Sequence, residues 1–293
     1  MEQPKEIPRN LIDIEKVIGD KNPRLLKIIP GFLVRYLKRI VHQEFVNDAI
    51  YRNRDKVGLD FVEVILREFG VRMEVADGRP STADSRLPTA DLTSLIPEKG
   101  RLLIAANHPL GGLDGMALMN AVGKVRPDIV FPVNDILMNV PGLQPLFIPI
   151  NKHGKNTDNV RIMEEAFASD KTILFFPAGL VSRKQHGGVI ADLEWKKTFI
   201  TRARKFERDI LPVYISGRNS DFFYNLARWR RRMGIGANVE MLYLVDEMYR
   251  QKDKTIRMIF GEVIPWQTFD RSRTDKEWAK YVREIVYSMD RKP

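Results

Sequence analysis

The sequence predicts an α/β fold: a mainly parallel sheet flanked by helices, with an N-terminal helical extension. Two patterns carry that prediction. From Arg101 onward, short apolar runs alternate with stretches of helical spacing. Alternating strands and helices are the order from which layered parallel sheets are built. Before residue 71 the apolar spacing is helical.

Taken in chain order, the segment from Leu25 to Tyr51 places Ile28, Ile29, Phe32, Leu33, Leu37, Ile40, Val41 and Phe45 near helical intervals, with Arg35, Lys38 and Arg39 between them. It reads as one basic amphipathic helix beginning near Pro30. Leu59 to Phe69 is a second helix, stopped at Gly70. Residues 1–70 are therefore assigned to the extension and 71–293 to the α/β domain. Residues 76–100, rich in Pro, Ser, Thr, Asp and Gly, read as a long connection. Strands are expected at Leu102 to Ala106, Ile129 to Val133, Leu146 to Ile150, Thr172 to Phe176, Ile210 to Ile215 and Ile256 to Phe260. Helices are expected at Gly115 to Val122, Asn159 to Ala168, Glu194 to Phe206, Ser220 to Met233, Val239 to Tyr249 and Thr274 to Met289.

Composition bounds the function. An apolar share of 44% and a charged share of 29% over 293 residues describe a chain that folds around a core. There is no cysteine, which removes disulfide and thiol chemistry and fits a reducing compartment. The charged, proline-bearing start, Met1 to Glu6, is not followed by the apolar stretch of a signal peptide. No apolar run approaches the roughly 20 residues a membrane-spanning helix needs. A cytoplasmic protein that lies on a membrane rather than in it is the expectation. The net charge of +10 points to polyanionic partners: anionic lipid, acidic carriers or nucleic acid. The segment Phe222 to Met233 joins aromatics to an arginine cluster. It suits an interfacial helix, a nucleic-acid backbone, or a core helix with its arginines in water. His42, His153 and His186 show no zinc spacing, so no metal is expected, and neither a phosphate-binding glycine-lysine loop nor a dinucleotide fingerprint is present.

The first strand of the domain runs straight into Asn107-His108-Pro109-Leu110-Gly111-Gly112-Leu113-Asp114, and a helical pattern follows. An imidazole at neutral pH can take a proton from an attacking hydroxyl, and a neighbouring carboxylate can hold the ring and stabilise its charged form. Asp114 also suits the N-cap of the next helix. A second strand end carries Phe175 to Lys184, where Arg183 offers a planar fork for phosphate or carboxylate and Lys184 a mobile point charge. A third, Leu211 to Gly217, says only buried strand.

The order of these segments resembles the four blocks of the glycerolipid acyltransferases, the superfamily of 1-acylglycerol-3-phosphate acyltransferase, and especially its hemolysin-like and ornithine-lipid-synthesising branches. The likeness spans roughly Arg101 to Gly217 and is most specific at Asn107 to Asp114 and Phe176 to Arg183. It implies an O-acyltransferase in which His108 is the general base and Asp114 its orienting partner. It implies substrate contacts at Asn107, Gly111 and Gly112, an acceptor block at Phe147 to Lys152 that includes Asn151 and Lys152, and a phosphate- or carboxylate-binding block with Pro177, Gly179, Ser182, Arg183 and Lys184. Pro212 marks the fourth block. The donor implied is acyl-CoA or acyl-carrier protein, with no bound cofactor; the partners implied are a lipid acceptor and an anionic membrane surface, with no nucleic acid.

Three departures stand out. Five residues separate His108 from Asp114 where the family pattern has four, an excess that Gly111 and Gly112 can absorb. Ala178 stands where the family usually has glutamate, and Asn151 near where it usually has arginine. Both concern acceptor recognition, and they favour a lyso-aminolipid over lysophosphatidate. A basic binding protein without catalysis, a hydrolase using water, and an inactive scaffold are the rival readings.

Overall fold

The computed structural model describes residues 8–78, 91–150 and 157–290. Its strands are β1 (Arg72–Asp77), β2 (Leu102–Ala106), β3 (Ile129–Asn134), β4 (Phe147–Ile150), β5 (Thr172–Phe175), β6 (Arg183–Lys184), β7 (Ile190–Ala191), β8 (Asp209–Ile215) and β9 (Thr255–Phe260). Seven of them form one sheet in the order β1-β9-β8-β2-β5-β3-β4, and β6 and β7 pair apart as a short antiparallel ribbon. Within the large sheet all pairings are parallel except that of β8 with β9. The expected α/β architecture is present, and all six expected strands occur with ends within one residue of their predicted places.

Strand β2 is central and every residue of it is buried. A continuous apolar run is what a strand covered on both faces requires. Leu102, Ile104 and Ala106 point into one core with Phe61, Val62 and Leu66. Leu103 and Ala105 point into the other with Phe199, Val282 and Val286. Of the three strands absent from the prediction, β6 and β7 are two residues long each, and β1 lies at the sheet edge, where Arg72, Glu74 and Asp77 interrupt its apolar pattern. Charges on an edge strand discourage pairing with another chain, and they also hide the strand from a search for apolar runs.

The helices are α1 (Ile14–Lys21), α2 (Pro23–Ile28), α3 (Gly31–Ile40), α4 (Gln43–Arg52), α5 (Leu59–Glu68), α6 (Leu92–Leu95), α7 (Leu113–Gly123), α8 (Thr157–Ala168), α9 (Thr198–Lys205), α10 (Asp221–Arg232), α11 (Leu244–Tyr249) and α12 (Asp275–Ser288). The helix expected to begin near Pro30 does begin there, with Pro30 as the cap of α3, but it is two helices, α3 and α4, rather than one. Pro30 disfavours helical geometry at Ile29 and separates α2 from α3. His42 adopts a left-handed conformation, φ 46°, that breaks α3 from α4. Tertiary contacts hold that break: His42 Nε2 lies 3.0 Å from Asp246 Oδ1, and its ring stacks on Tyr249 at 4.6 Å. The helix expected from Glu194 begins only at Thr198, because Asp192 and Trp195 are drawn into the interior first. Likewise Val239–Tyr243 is a 3-10 turn leading into α11 rather than part of one helix.

One buried cation ties the sheet together. The Arg208 guanidinium donates to the carbonyls of Phe167, Ser169 and Lys171 at the end of α8 and to that of Leu102 at the start of β2. Burial pushes its pKa down to about 10, so it remains charged at neutral pH.

Candidate active site

At the end of β2 the side chain of Asn107 takes over from the strand ladder. Its Nδ2 donates to the Ile215 carbonyl at 2.8 Å and its Oδ1 accepts from the Ile215 N–H at 2.6 Å. Strands β2 and β8 are thereby pinned just before the next residue, His108. Asn107 is buried and spends its amide on backbone.

His108 Nδ1 lies 2.9 Å from Asp114 Oδ2. The same oxygen accepts from the N–H groups of Leu110 at 2.8 Å and Gly111 at 3.2 Å, while Oδ1 accepts from Gly115 N–H at 2.9 Å. Helix α7 begins two residues earlier than its expected start, with Gly112 as cap and Asp114 inside the first turn. Asp114 thus caps the helix from within, reaching back over the loop it closes, where the helix dipole also favours its charge. Gly111 makes that loop feasible: its φ is +89°, and a Cβ there would come within 2.7 Å of Leu244 and 2.8 Å of Val181. Gly112 lies under Met248, whose sulfur would be 3.1 Å from an added Cβ.

Below the ring, Phe176 stacks on His108 with centroids 4.1 Å apart, and Phe131 meets Phe176 edge-on at 5.1 Å. The Asp114 side chain is 0% exposed and that of His108 17% exposed. The carboxylate is sealed and the imidazole is reachable. Among the described residues Nε2 has no protein partner, so the nitrogen opposite the Asp114 contact is the one left for a reacting group.

The second strand end closes on the first. Ser182 N–H donates to the His108 carbonyl at 2.7 Å, and Ser182 Oγ donates to Asp192 Oδ1 at 2.6 Å. Gly179, at φ +65°, turns the chain back, its N–H donating to the Phe176 carbonyl at 3.0 Å. The Pro177 carbonyl accepts from Lys196 N–H at 3.0 Å, and the Lys196 ammonium lies beside Gly179. Ala178 packs in the same apolar cluster as Trp195 and Phe199, where a glutamate would bury its charge. Arg183 is buried: its guanidinium donates to Glu240 Oε1 at 2.8 Å and to the Val181 carbonyl at 2.7 Å, and Glu240 is also held by Arg230. The fork is directed inward, onto an internal carboxylate. Lys184 is half-buried on β6, with no ion pair among the described residues. Asn151 and Lys152 lie outside the described residues. Pro212 sits opposite Ala105 inside the sheet and accepts from Gly261 N–H at 2.9 Å.

Residues 16–292 match a protein-family model described as acyltransferase. The chain belongs to this acyltransferase family. The acyltransferase is 45% identical over 281 residues to the lyso-glycine lipid O-acyltransferase of Bacteroides thetaiotaomicron, covering 95% of this chain and 97% of that one. It is 44% identical to the enzyme of the same name from Phocaeicola vulgatus, covering 95% of each. Among solved structures, the 1-acyl-sn-glycerophosphate acyltransferase PlsC of Thermotoga maritima is similar at a TM-score of 0.45 and 17% identity, covering 88% of this chain and 91% of that one.

Electrostatics around the histidine of this acyltransferase are uneven. Burial works to raise the Asp114 carboxyl, but the charge and hydrogen bond of His108 and the N–H groups of Leu110 and Gly111 outweigh it and hold the carboxyl below the usual range. An ionised Asp114 accepts a proton-bearing Nδ1, which makes Nε2 the nitrogen without a proton in the neutral ring. Sequence reading missed Asp192, Trp195, Leu244 and Met248 as neighbours of the loop. No motif spacing marks them, because they arrive from segments far along the chain.

Proposed function

We propose that this acyltransferase moves a fatty acyl group from an acyl thioester to the hydroxyl of a lysolipid, with a lyso-glycine lipid as the acceptor. Two relatives of that name, aligned over nearly the whole length of both chains, support the acceptor. The chemistry rests on one observation: His108 is clamped at Nδ1 by a sealed carboxylate and open at Nε2. The acceptor hydroxyl gives its proton to Nε2 as its oxygen attacks the thioester carbon. The tetrahedral intermediate then expels the thiolate by breaking the C–S bond, and the imidazolium returns the proton to sulfur. Asp114 accepts the Nδ1–H bond throughout and steadies the transient charge. An acyl-carrier protein or CoA would bring the acyl group, and no resident cofactor enters this scheme.

The test is to incubate the purified chain with an acyl thioester and a lyso-glycine lipid while measuring free thiol and, by mass spectrometry, the diacylated product. Equal amounts of both are expected, and none from His108→Ala. Thiol without acylated lipid would move the reading to a hydrolase. Absence of both would end it.

The reading also places the enzyme on the inner face of the cell membrane, held by residues 1–70 together with α10. No helix of the described residues is long and apolar enough to cross a bilayer. Phe32 on α3 is 67% exposed and Trp229 on α10 is 55% exposed. The two helices meet through Tyr243, which bonds to Tyr36 OH at 2.8 Å and packs edge-on to Phe222 at 4.9 Å. Exposed Arg35, Arg39, Arg228 and Arg232 flank these aromatics. Apolar tips ringed by arginines suit anionic head groups. The expectation is that Phe32→Glu combined with Trp229→Glu lowers co-sedimentation with anionic vesicles; unchanged sedimentation would remove this part of the proposal.

A further inference from the structure

His108 is held at its ring by Asp114, but a second sealed carboxylate holds its backbone. Asp192 follows β7 and is 0% exposed. Its Oδ1 accepts from His108 N–H at 3.2 Å and from Ser182 Oγ at 2.6 Å, and its Oδ2 accepts from the Trp195 indole N–H at 2.9 Å. Ser182 N–H donates to the His108 carbonyl at 2.7 Å. His108, Ser182 and Asp192 therefore close a ring of three hydrogen bonds in which both polar groups of the His108 main chain are committed.

Asp192 is itself braced from α12. Its N–H donates to Tyr287 OH at 2.7 Å, and its carbonyl accepts from the Arg283 guanidinium at 2.8 Å and from Gln185 Nε2 at 2.5 Å. The other ionisable groups about it are Tyr214 on β8 and, in a cleft on its far side, Glu194, Lys276, Glu277 and Lys280. Three donors converge on the carboxylate. Only an acceptor without protons of its own satisfies all three, and an amide would turn an N–H toward one of them. The ribbon β6–β7 has one evident consequence: it carries this carboxylate back beneath the loop after β2.

We propose that Asp192 is the positioning residue of His108, fixing the backbone from which the imidazole projects and supplying a second negative charge for the imidazolium formed during acyl transfer. This inference rests on His108 being the general base. Misplacing a base by a fraction of an ångström costs rate rather than substrate affinity. Removing a nearby anion makes the imidazolium less favourable, so the neutral ring persists to lower pH.

The test uses the full chain with an acyl thioester and a lysolipid acceptor. Asp192→Asn is expected to lower kcat about ten- to a hundredfold with KM for both substrates little changed. The acidic limb of its pH–rate profile should move to lower pH by about one unit. Ser182→Ala, which removes one arm of the ring and leaves the carboxylate, should lower kcat about two- to tenfold. Wild-type kcat and an unmoved acidic limb in Asp192→Asn would overturn the proposal, whatever happens to its melting temperature. Should that variant fail to fold, Ser182→Ala decides: wild-type kcat overturns the proposal and reduced kcat at constant KM supports it. Full activity in His108→Ala would instead overturn the assignment of the base itself.

Discussion

Asp114 and Asp192 are both shut away from water and both hydrogen-bonded to His108, one at the ring and one at the backbone, yet they hold their protons differently. Burial raises both. For Asp114 it is outweighed by the His108 charge and hydrogen bond and by the N–H donors of Leu110 and Gly111 in the loop before α7, so the carboxyl falls below the usual range. For Asp192 the donors are chiefly neutral, from Ser182, Trp195 and the His108 backbone, and burial prevails, so the carboxyl rises. Neutral hydrogen bonds hold a buried anion less firmly than a cation directly across the bond does. The loop after β2 thus holds one carboxylate charged against an imidazole ring, and the segment after β7 holds that residue's backbone.

His108 is the residue that both carboxylates hold, and its removal should have the largest effect. His108→Ala should reduce acyl transfer about ten-thousandfold, measured as thiol release from the thioester. Asp114→Asn should come next, about a thousandfold in kcat, because the amide no longer enforces the Nδ1–H tautomer. It should also lose about 1–3 kcal/mol in denaturant unfolding, since its NH2 can be turned toward the Leu110 and Gly111 donors. A third buried carboxylate sharpens the rule. Glu240 faces Arg183 and Arg230, and burial is outweighed there as at Asp114, so it stays below the usual range. Replacing Arg183 with Met should cost about 2–4 kcal/mol of stability, less than an unpaired buried charge would, because Arg230 remains.

The smallest effect, and the most direct test of the contrast, is the pH dependence of stability. Asp114, with its folded pKa depressed, contributes stability that is present above the unfolded value of about 3.9 and lost as pH falls through its folded value. Asp192, with its folded pKa raised, contributes stability below about 3.9 that is lost as pH rises through its folded value. Unfolding free energies measured across the acid range should therefore lose part of their acid-side decline in Asp114→Asn. In Asp192→Asn they should lose part of a decline that runs the other way. Parallel curves for the two variants would contradict the assignment.

Legibility in the sequence followed a physical line. Strands β2, β3, β4, β5, β8 and β9 are apolar enough to be read one by one, because a strand covered on both faces must be. Edge strand β1 was not legible, because Arg72 and Glu74 are exposed and, with Asp77, break its apolar pattern. The helix break at His42 was invisible for a different reason: the residues around it have helical spacing, and the interruption is maintained by Asp246 and Tyr249, two hundred residues away in the chain. At the site, the His108–Asp114 pair lay on one loop and could be read from spacing. The inward commitment of Arg183 could not, since a cation beside a strand end looks the same whether it meets a ligand or Glu240.

By itself the sequence determined what short-range chemistry determines: alternation of strand and helix, a glycine-relaxed loop carrying a histidine and an aspartate, and a basic, cysteine-free chain. Tertiary structure decided which polar groups are spent on the protein itself. Asn107, Ser182 and Arg183 are consumed by backbone, by Asp192 and by Glu240, while His108 keeps one nitrogen open. Whether a side chain is free for a substrate depends on what the fold packs against it, and those partners come from β8, from the segment after β7 and from the turn before α11, which no local window of sequence contains.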